Sequence, residues 1–394
     1  MGPYLILALA TGLLGYFLCE RHPSKRNDII FLSIMSVVLI AMSAVRGSTV
    51  GIDYKPYLEY FKQVCDGGWS FLFSAANVYR IEIGYSLLNY VISLVTQSQL
   101  GFALGIALVC IVLTAVFLYK HSPSVWVSMF VFITFGFFGY TLVTIRHQIA
   151  ICIFMFALPY LQNKKFVPYL LIVLLTATFH KSMLLLIPLF FIAQIPLNWK
   201  SLTVYSAGTL FLLIFSEPIL SFITQYIYKS YQVGTYYMRG RDFNTAFIPI
   251  ILFGVVMLLK KRLLQHDAKN LPLINLCCYC CLLFILTLKH FVFQRFALIL
   301  LPVAMLLLPE IMSCMKIDED KAMKLELTRQ AAKKTAGDEK KRALQKYGEL
   351  KVQLRDQQAM YNATIGFILF GSFVYYLFLL NANRLLLVPY VTML

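Results

Sequence analysis

The stretch IIFLSIMSVVLIAMSAVRGSTVGIDYKPYLEYF, residues 29–61, opens with seventeen residues, Ile29 to Val45, that carry no charge. A run of that length reads as a helix crossing a bilayer. It ends on an arginine, a glycine turn and an aspartate, followed by a row of tyrosines. Similar apolar runs recur along all 394 residues, 60% of which are apolar and only 13% charged. No soluble domain tolerates that pattern, so the sequence predicts an all-α polytopic integral membrane protein, with room for about twelve spans of about twenty residues each. The first run, PYLILALATGLLGYFLC, has no basic residues ahead of it and no small-residue cleavage site behind it. It therefore reads as a span, not a removable signal.

The formal charge of +17 excludes little by itself, because basic residues in membrane proteins report orientation first. Most Lys and Arg fall in residues 20–28, 162–166, 260–270 and 313–361, which places those segments on the cytoplasmic side. Counting crossings from them puts the 46–61 stretch outside and gives spans at 3–19, 29–45, 101–119, 125–143, 147–161, 167–179, 182–195, 202–227, 245–259, 271–288, 291–312 and 362–380, with both termini external. Residues 81–97 then begin and end on the same outer side. They are expected to form a re-entrant or interfacial helix, for which Glu82, Asn89 and Tyr90 are suitable residues. Residues 1–312 form the main transmembrane domain with an outward-facing cavity. The segment 313–361 is a charged cytoplasmic insertion, a helical hairpin broken near Gly337 that reads first as a solvated insertion and second as an anchor to anionic lipid or a partner. Residues 362–394 supply the last span and an external tail.

Nine cysteines are present, four of them in CCYCC at Cys277, Cys278, Cys280 and Cys281. They lie inside an apolar run with no histidine or carboxylate beside them, and read as small packing residues, not as metal ligands.

The informative cations are those on the wrong side of the charge rule: Arg46, Arg80, Arg146, Lys181, Arg239, Arg241, Lys289 and Arg295, with His147, His180 and His290 nearby. Several stand between apolar blocks, as in TLVTIRHQIAICIF and LLTATFHKSMLLL. Ionisable groups at such positions normally face a polar cavity, and a cluster of guanidinium forks suits phosphate oxygens. A lipid-linked diphosphate fits that chemistry at that depth. External carboxylates are few: Asp53, Glu59, Asp66, Glu82, Glu217 and Asp242. Asp53 or Glu82 could take a proton from a sugar hydroxyl, with His180 as a further candidate base, while the adjacent tyrosines offer faces to sugar rings.

The same residues carry a resemblance. RGSTVGIDYKPYLEYF, EIGYSLLNYVISL, IRHQIAICIFMFALPYL, ATFHKSMLLLIPLFF, FQRFALILLP and LLLVPY, in this order from Arg46 to Tyr390, resemble the EpsG-type, Wzy-like membrane proteins of bacterial exopolysaccharide, capsule and O-antigen polymerisation. The resemblance implies a membrane glycosyltransferase of the C type that inverts configuration and uses no metal, cofactor or nucleotide sugar. It would join repeat units carried on undecaprenyl diphosphate at the outer face of the bacterial cytoplasmic membrane; a flippase and a chain-length regulator are candidate partners on which the sequence itself is silent, and no nucleic acid is expected. Arg46, Asp53, Tyr54, Glu82, Tyr85, Arg146, Gln148, His180, Lys181 and Arg295 match its motifs; the external cation and carboxylate set gives Asp53, Glu82 and His180 as catalytic candidates and Arg46, Arg146, Lys181, Arg239, Arg241 and Arg295 as diphosphate ligands. Tyr54, Tyr57, Tyr85 and Gln148 would contact sugar. Family members commonly read EPGY where this chain has Glu82-Ile83-Gly84-Tyr85, which predicts a different local turn, and the charged insertion is unusual. Two other classes use some of the same residues. A transporter of an anionic solute or lipid-linked sugar would need polar groups on both faces and interrupted helices in both halves. A cell-surface sugar acyltransferase would use His180 as base and leave the arginines unexplained.

Overall fold

The computed structural model describes residues 1–74, 81–226, 244–317, 319–334 and 337–393, and the described chain is all-α. Its helices are α1 (Gly2–Gly15), α2 (Lys25–Ala44), α3 (Tyr54–Phe73), α4 (Ile83–Ser93), α5 (Gln99–His121), α6 (Val125–Thr134), α7 (Phe137–Val143), α8 (Ile145–Phe154), α9 (Leu158–Gln162), α10 (Phe166–Ala177), α11 (Leu189–Ile192), α12 (Trp199–Tyr226), α13 (Asn244–His266), α14 (Leu271–Leu286), α15 (Val292–Leu300), α16 (Ala304–Ser313), α17 (Glu319–Lys334) and α18 (Gly337–Ala382). Local chemistry sets several of the starts. Ser24 accepts from the Asn27 amide to cap α2, Ser98 accepts from Gly101 to cap α5, and Lys120 and His121 stand at the negative end of α5.

Among the described residues, 8 helices are long and apolar enough to cross a membrane, or up to 9 if a bent pair is one span. That is fewer than the dozen the apolar runs predict; the run 245–259, in α13, does not qualify, and three other runs show a local reason. The run 125–143 is two helices, α6 and α7, bent by 53° at Gly136, whose φ of 83° suits a residue without Cβ. The runs 167–179 and 182–195 hold only the 12-residue α10, a 3-10 turn at Lys181–Leu186 and the 4-residue α11. These are well short of the about twenty residues a crossing needs. Helix α4 has 11 residues, about 16 Å at 1.5 Å per residue. It lies against α3 without crossing, which fits a segment that begins and ends on one side.

Burial separates the centre of the bundle from its edge. The window Val292–Ser313 is 83% buried, whereas the apolar window Trp199–Ser221 is only 6% buried. A helix that apolar and that exposed belongs in lipid. The four cysteines of α14 are buried and free, and Cys280 donates to the Ala297 carbonyl at 3.4 Å, packing α14 on α15.

Contacts between loops bring together the ends that carry the basic residues. Glu20 accepts from Trp126 Nε1 at 3.2 Å and from the Tyr361 hydroxyl at 2.6 Å. Gln162 donates to the Lys269 carbonyl at 3.2 Å, and Lys260 donates to the Leu197 carbonyl. The ends grouped by their basic residues thus meet at one end of the bundle. At that end α17 packs on α18, a continuous 46-residue helix of about 69 Å. The charged insertion and the last span therefore share one helix, with Gly337 at its start in a left-handed conformation, φ 61°.

Candidate functional site

At the opposite end, residues after α18 fold back over the loop that follows α2. Gly47 N–H donates to the Val391 carbonyl at 2.7 Å, Gly51 to Leu386 at 3.0 Å, Ile52 to Leu385 at 3.1 Å, and Met393 donates to Val45 at 2.8 Å. Gly51 sits at φ 99°, and a Cβ there would stand 2.8 Å from the Leu142 carbonyl oxygen. Only glycine lets the loop press this close to α7. This clamp delivers Asp53 to the N-cap position of α3, where its side chain makes no capping bond.

Glu82 is delivered by α4. Gly84 N–H donates to the Thr178 carbonyl at 2.8 Å, and a Cβ on Gly84 would lie 2.4 Å from Thr178 Oγ1, so glycine permits the contact between α4 and the end of α10. Ile83 is the first residue of α4, and Glu82 before it is extended at φ −59°, ψ 139°. Proline is favoured at that first position and prefers an extended residue before it. The backbone that isoleucine adopts here would therefore also suit a proline at position 83.

These loops open onto a cavity of about 760 Å³, within the size range of small-molecule sites. Asp53, Tyr57, Arg146, His147, His180 and Arg295 line it. So do Tyr140, Gln294, Asn381, Asn383 and Arg384, beside an apolar and aromatic wall that includes Phe284, Phe291, Tyr375, Tyr376 and Phe378. Glu82 stands behind Arg146: Arg146 Nη1 donates to Glu82 Oε2 at 2.6 Å, and the Lys181 backbone N–H donates to Oε1 at 3.3 Å. The Arg146 guanidinium also lies 5.8 Å from the Tyr57 ring centroid, and its Nε is buried without a partner. His180 Nδ1 and Ser182 Oγ are hydrogen-bonded at 2.9 Å. The His180 ring meets that of His147 edge to face at 4.9 Å, and His147 Nε2 is buried without a partner.

The two carboxylates are driven apart electrostatically. Burial raises Asp53 above the ordinary carboxylate range, against the pull of Arg295 and Arg146. For Glu82, burial also acts upward, but Arg146, hydrogen bonds and His180 outweigh it and leave the group below its ordinary value. His180 is pushed down to about 4, chiefly by burial and opposed by Glu82, so it is neutral near pH 7. Oppositely shifted groups in one site mark acid and base roles. Glu82 is held as a permanent anion against Arg146, whereas Asp53 forms no direct ion pair among the described residues and is the more basic carboxylate.

Not every residue expected at the site reaches the cavity. Arg46 is 1% exposed with its guanidinium 4.0 Å from the Tyr54 ring centroid; aromatic faces, not phosphate, meet this cation. Tyr54 and Tyr85 are buried in the core between α3, α4 and α5, where no sugar can stack on them. Gln148 is buried, pointing Nε2 at Cys152 Sγ 3.9 Å away. Lys181 is exposed and serves Glu82 through its backbone. The sequence pointed to all five through their charge, their aromatic faces or their place in the resembling motifs, none of which fixes where a side chain points. Arg239 and Arg241 lie outside the described residues, as does Arg80. The sequence placed His147 beside the cavity cations without giving it a role, and it did not point to Gln294 or Arg384. The signal for Arg384 was present: it is a cation at the end of an apolar run, like Arg146.

An all-α bundle with several membrane-crossing helices and a polar cavity at one end defines the chain as a multi-pass membrane protein. It belongs to the EpsG family, whose model matches residues 29–327; it is thus a polysaccharide-biosynthesis membrane protein of a family linked to exopolysaccharide synthesis. No curated protein and no solved structure matches the chain.

Proposed function

We propose that the protein is a polysaccharide polymerase that joins oligosaccharide repeat units carried on undecaprenyl diphosphate, by inverting glycosyl transfer at the outer face of the bacterial cytoplasmic membrane. The observation that carries this reading is the convergence of Asp53, Arg146, His180 and Arg295 on one cavity with an aromatic wall. The growing chain's diphosphate lies against Arg146 and Arg295. Glu82 holds one end of the Arg146 fork, and the part of the side chain that lines the cavity meets a phosphate oxygen. The aromatic wall receives the first isoprene units. Asp53 removes the proton from the acceptor sugar hydroxyl, and the freed oxygen attacks the anomeric carbon from the face opposite the diphosphate. The anomeric carbon to phosphate oxygen bond breaks, and the leaving diphosphate is stabilised by the arginines. His180, neutral and tied to Ser182, lies beside the site as a hydrogen-bonding group. The residues 313–361 face the cytoplasm in this orientation.

The test is a gel of surface polysaccharide from cells lacking the gene and complemented with wild type, Arg146→Ala or Asp53→Asn. The reading expects deletion to collapse the ladder to one repeat unit and neither variant to restore it while the protein remains in the membrane. A ladder that survives deletion overturns it.

A further inference from the structure

At the end of the bundle remote from the cavity, three metal-ligating side chains of three different kinds meet. His266 is the last residue of α13. Glu310 lies in the final turn of α16, and Cys314 is its C-cap residue; four residues apart, the two project from the same face of that helix. The donor atoms of all three lie within 4.8 Å of one another. His266 Nε2 stands 3.7 Å from Glu310 Oε1, too long for a hydrogen bond and close to the spacing of two ligands on one cation. For metal bonds of about 2.0–2.3 Å, tetrahedral ligands sit about 3.3–3.8 Å apart. Each pair therefore needs to close by at most about 1.5 Å, which side-chain rotation supplies.

The carboxylate is already oriented. Asn270, in the turn entering α14 and 3% exposed, donates from Nδ2 to Glu310 Oε1 at 2.9 Å and to the Leu263 carbonyl at 3.1 Å. Outer-sphere hydrogen bonds of this kind fix ligating carboxylates in metal sites. Cys314 is pushed up to about 11 by burial and by Glu310, against the opposing effect of Arg262; the thiol is the partner that a bound cation would convert to thiolate.

We propose that His266, Glu310 and Cys314 form a site for a divalent transition metal of the zinc class, with three protein ligands and an open fourth position. One nitrogen, one carboxylate oxygen and one sulfur suit a borderline ion and disfavour magnesium or calcium, which take oxygen ligands. The bound ion ties the end of α13 to the end of α16. Two residues beyond Cys314, the Lys316 carbonyl accepts from Gln357 on α18 at 2.9 Å, so the tie also steadies the root of the charged hairpin.

The experiment is a cobalt(II) titration of the full-length protein in detergent after dialysis against chelator, followed by displacement with zinc. The proposal expects one equivalent per chain and tetrahedral visible bands with a thiolate-to-cobalt charge-transfer band, all removed by zinc. Cys314→Ser should abolish the charge-transfer band. His266→Ala, at a half-exposed side chain that tolerates truncation, should weaken cobalt binding at least about tenfold while the protein still elutes as one species. Absence of cobalt binding in the wild type overturns the proposal. So does binding that persists unchanged in both variants, because it places the metal on other cysteines.

Discussion

Replacing Asp53 by Asn and Glu82 by Gln removes the same charge from two acids at one site, yet the two changes should differ by orders of magnitude. Asp53 lines the cavity, and loss of a general base lowers the chemical step about 10²- to 10⁴-fold, equivalent to about 2.7–5.5 kcal/mol of barrier. Glu82 instead holds Arg146 at 2.6 Å. In Glu82→Gln the hydrogen bond survives without its charge, which costs about 1–1.5 kcal/mol in the interior. The Arg146 side chain is 31% exposed, so screening brings the cost to about 1 kcal/mol, or about fivefold in rate. The assay is the initial rate of polymer formation by purified protein in vesicles supplied with lipid-linked repeat units. If Glu82→Gln loses as much as the base should while Asp53→Asn stays within tenfold of wild type, the base assignment is refuted.

Further outcomes follow from the same geometry. Because Asp53 is raised by burial and acts deprotonated, activity should fall with acidification through a pKa above the ordinary value of about 3.9; an acid limb at or below that value contradicts the assignment. His180→Gln should leave that limb in place, since His180 takes up a proton only near 4. The depressed His180 value also means that the unfolded chain binds its proton first. Stability contributed by the neutral ring is therefore present above about pH 6.5 and is lost as pH falls towards 4, measurable as the midpoint of thermal unfolding in detergent. Gly84→Ala should destabilise the protein and lower activity through its clash with Thr178, whereas Ile83→Pro should be neutral or stabilise by up to about 1 kcal/mol; thermal unfolding of the two variants distinguishes these results. Deleting residues 385–393 removes four backbone hydrogen bonds from the Asp53 loop, about 4 kcal/mol at about 1 kcal/mol each, and should abolish polymer while the chain still reaches the membrane.

The grouping of loops at one end of the bundle was legible in the sequence because it rests on a cost that tertiary packing does not alter: basic loops avoid crossing. The contacts of Glu20 with Trp126 and Tyr361 bring together the ends that counting had paired. Span number was less legible. An apolar run does not reveal whether it is one straight helix or two short ones, as the break at Gly136 and the 12-residue α10 show. The same limit governs the site. Arg46 and Arg146 both follow apolar blocks, and nothing along the chain distinguishes a guanidinium stacked on Tyr54 from one facing a cavity. Arg384 reaches the site only because the chain after α18 folds back onto residues 47–52, a contact across more than three hundred residues that no local pattern records.

The central claim is tested most directly by supplying purified protein in vesicles with undecaprenyl-diphosphate-linked repeat units alone and resolving the products on a gel while measuring released undecaprenyl diphosphate. The account predicts a ladder of polymer with one undecaprenyl diphosphate released per bond formed, lost in Arg146→Ala. Repeat units that remain single, with no diphosphate lipid released by a folded wild-type protein, would contradict it.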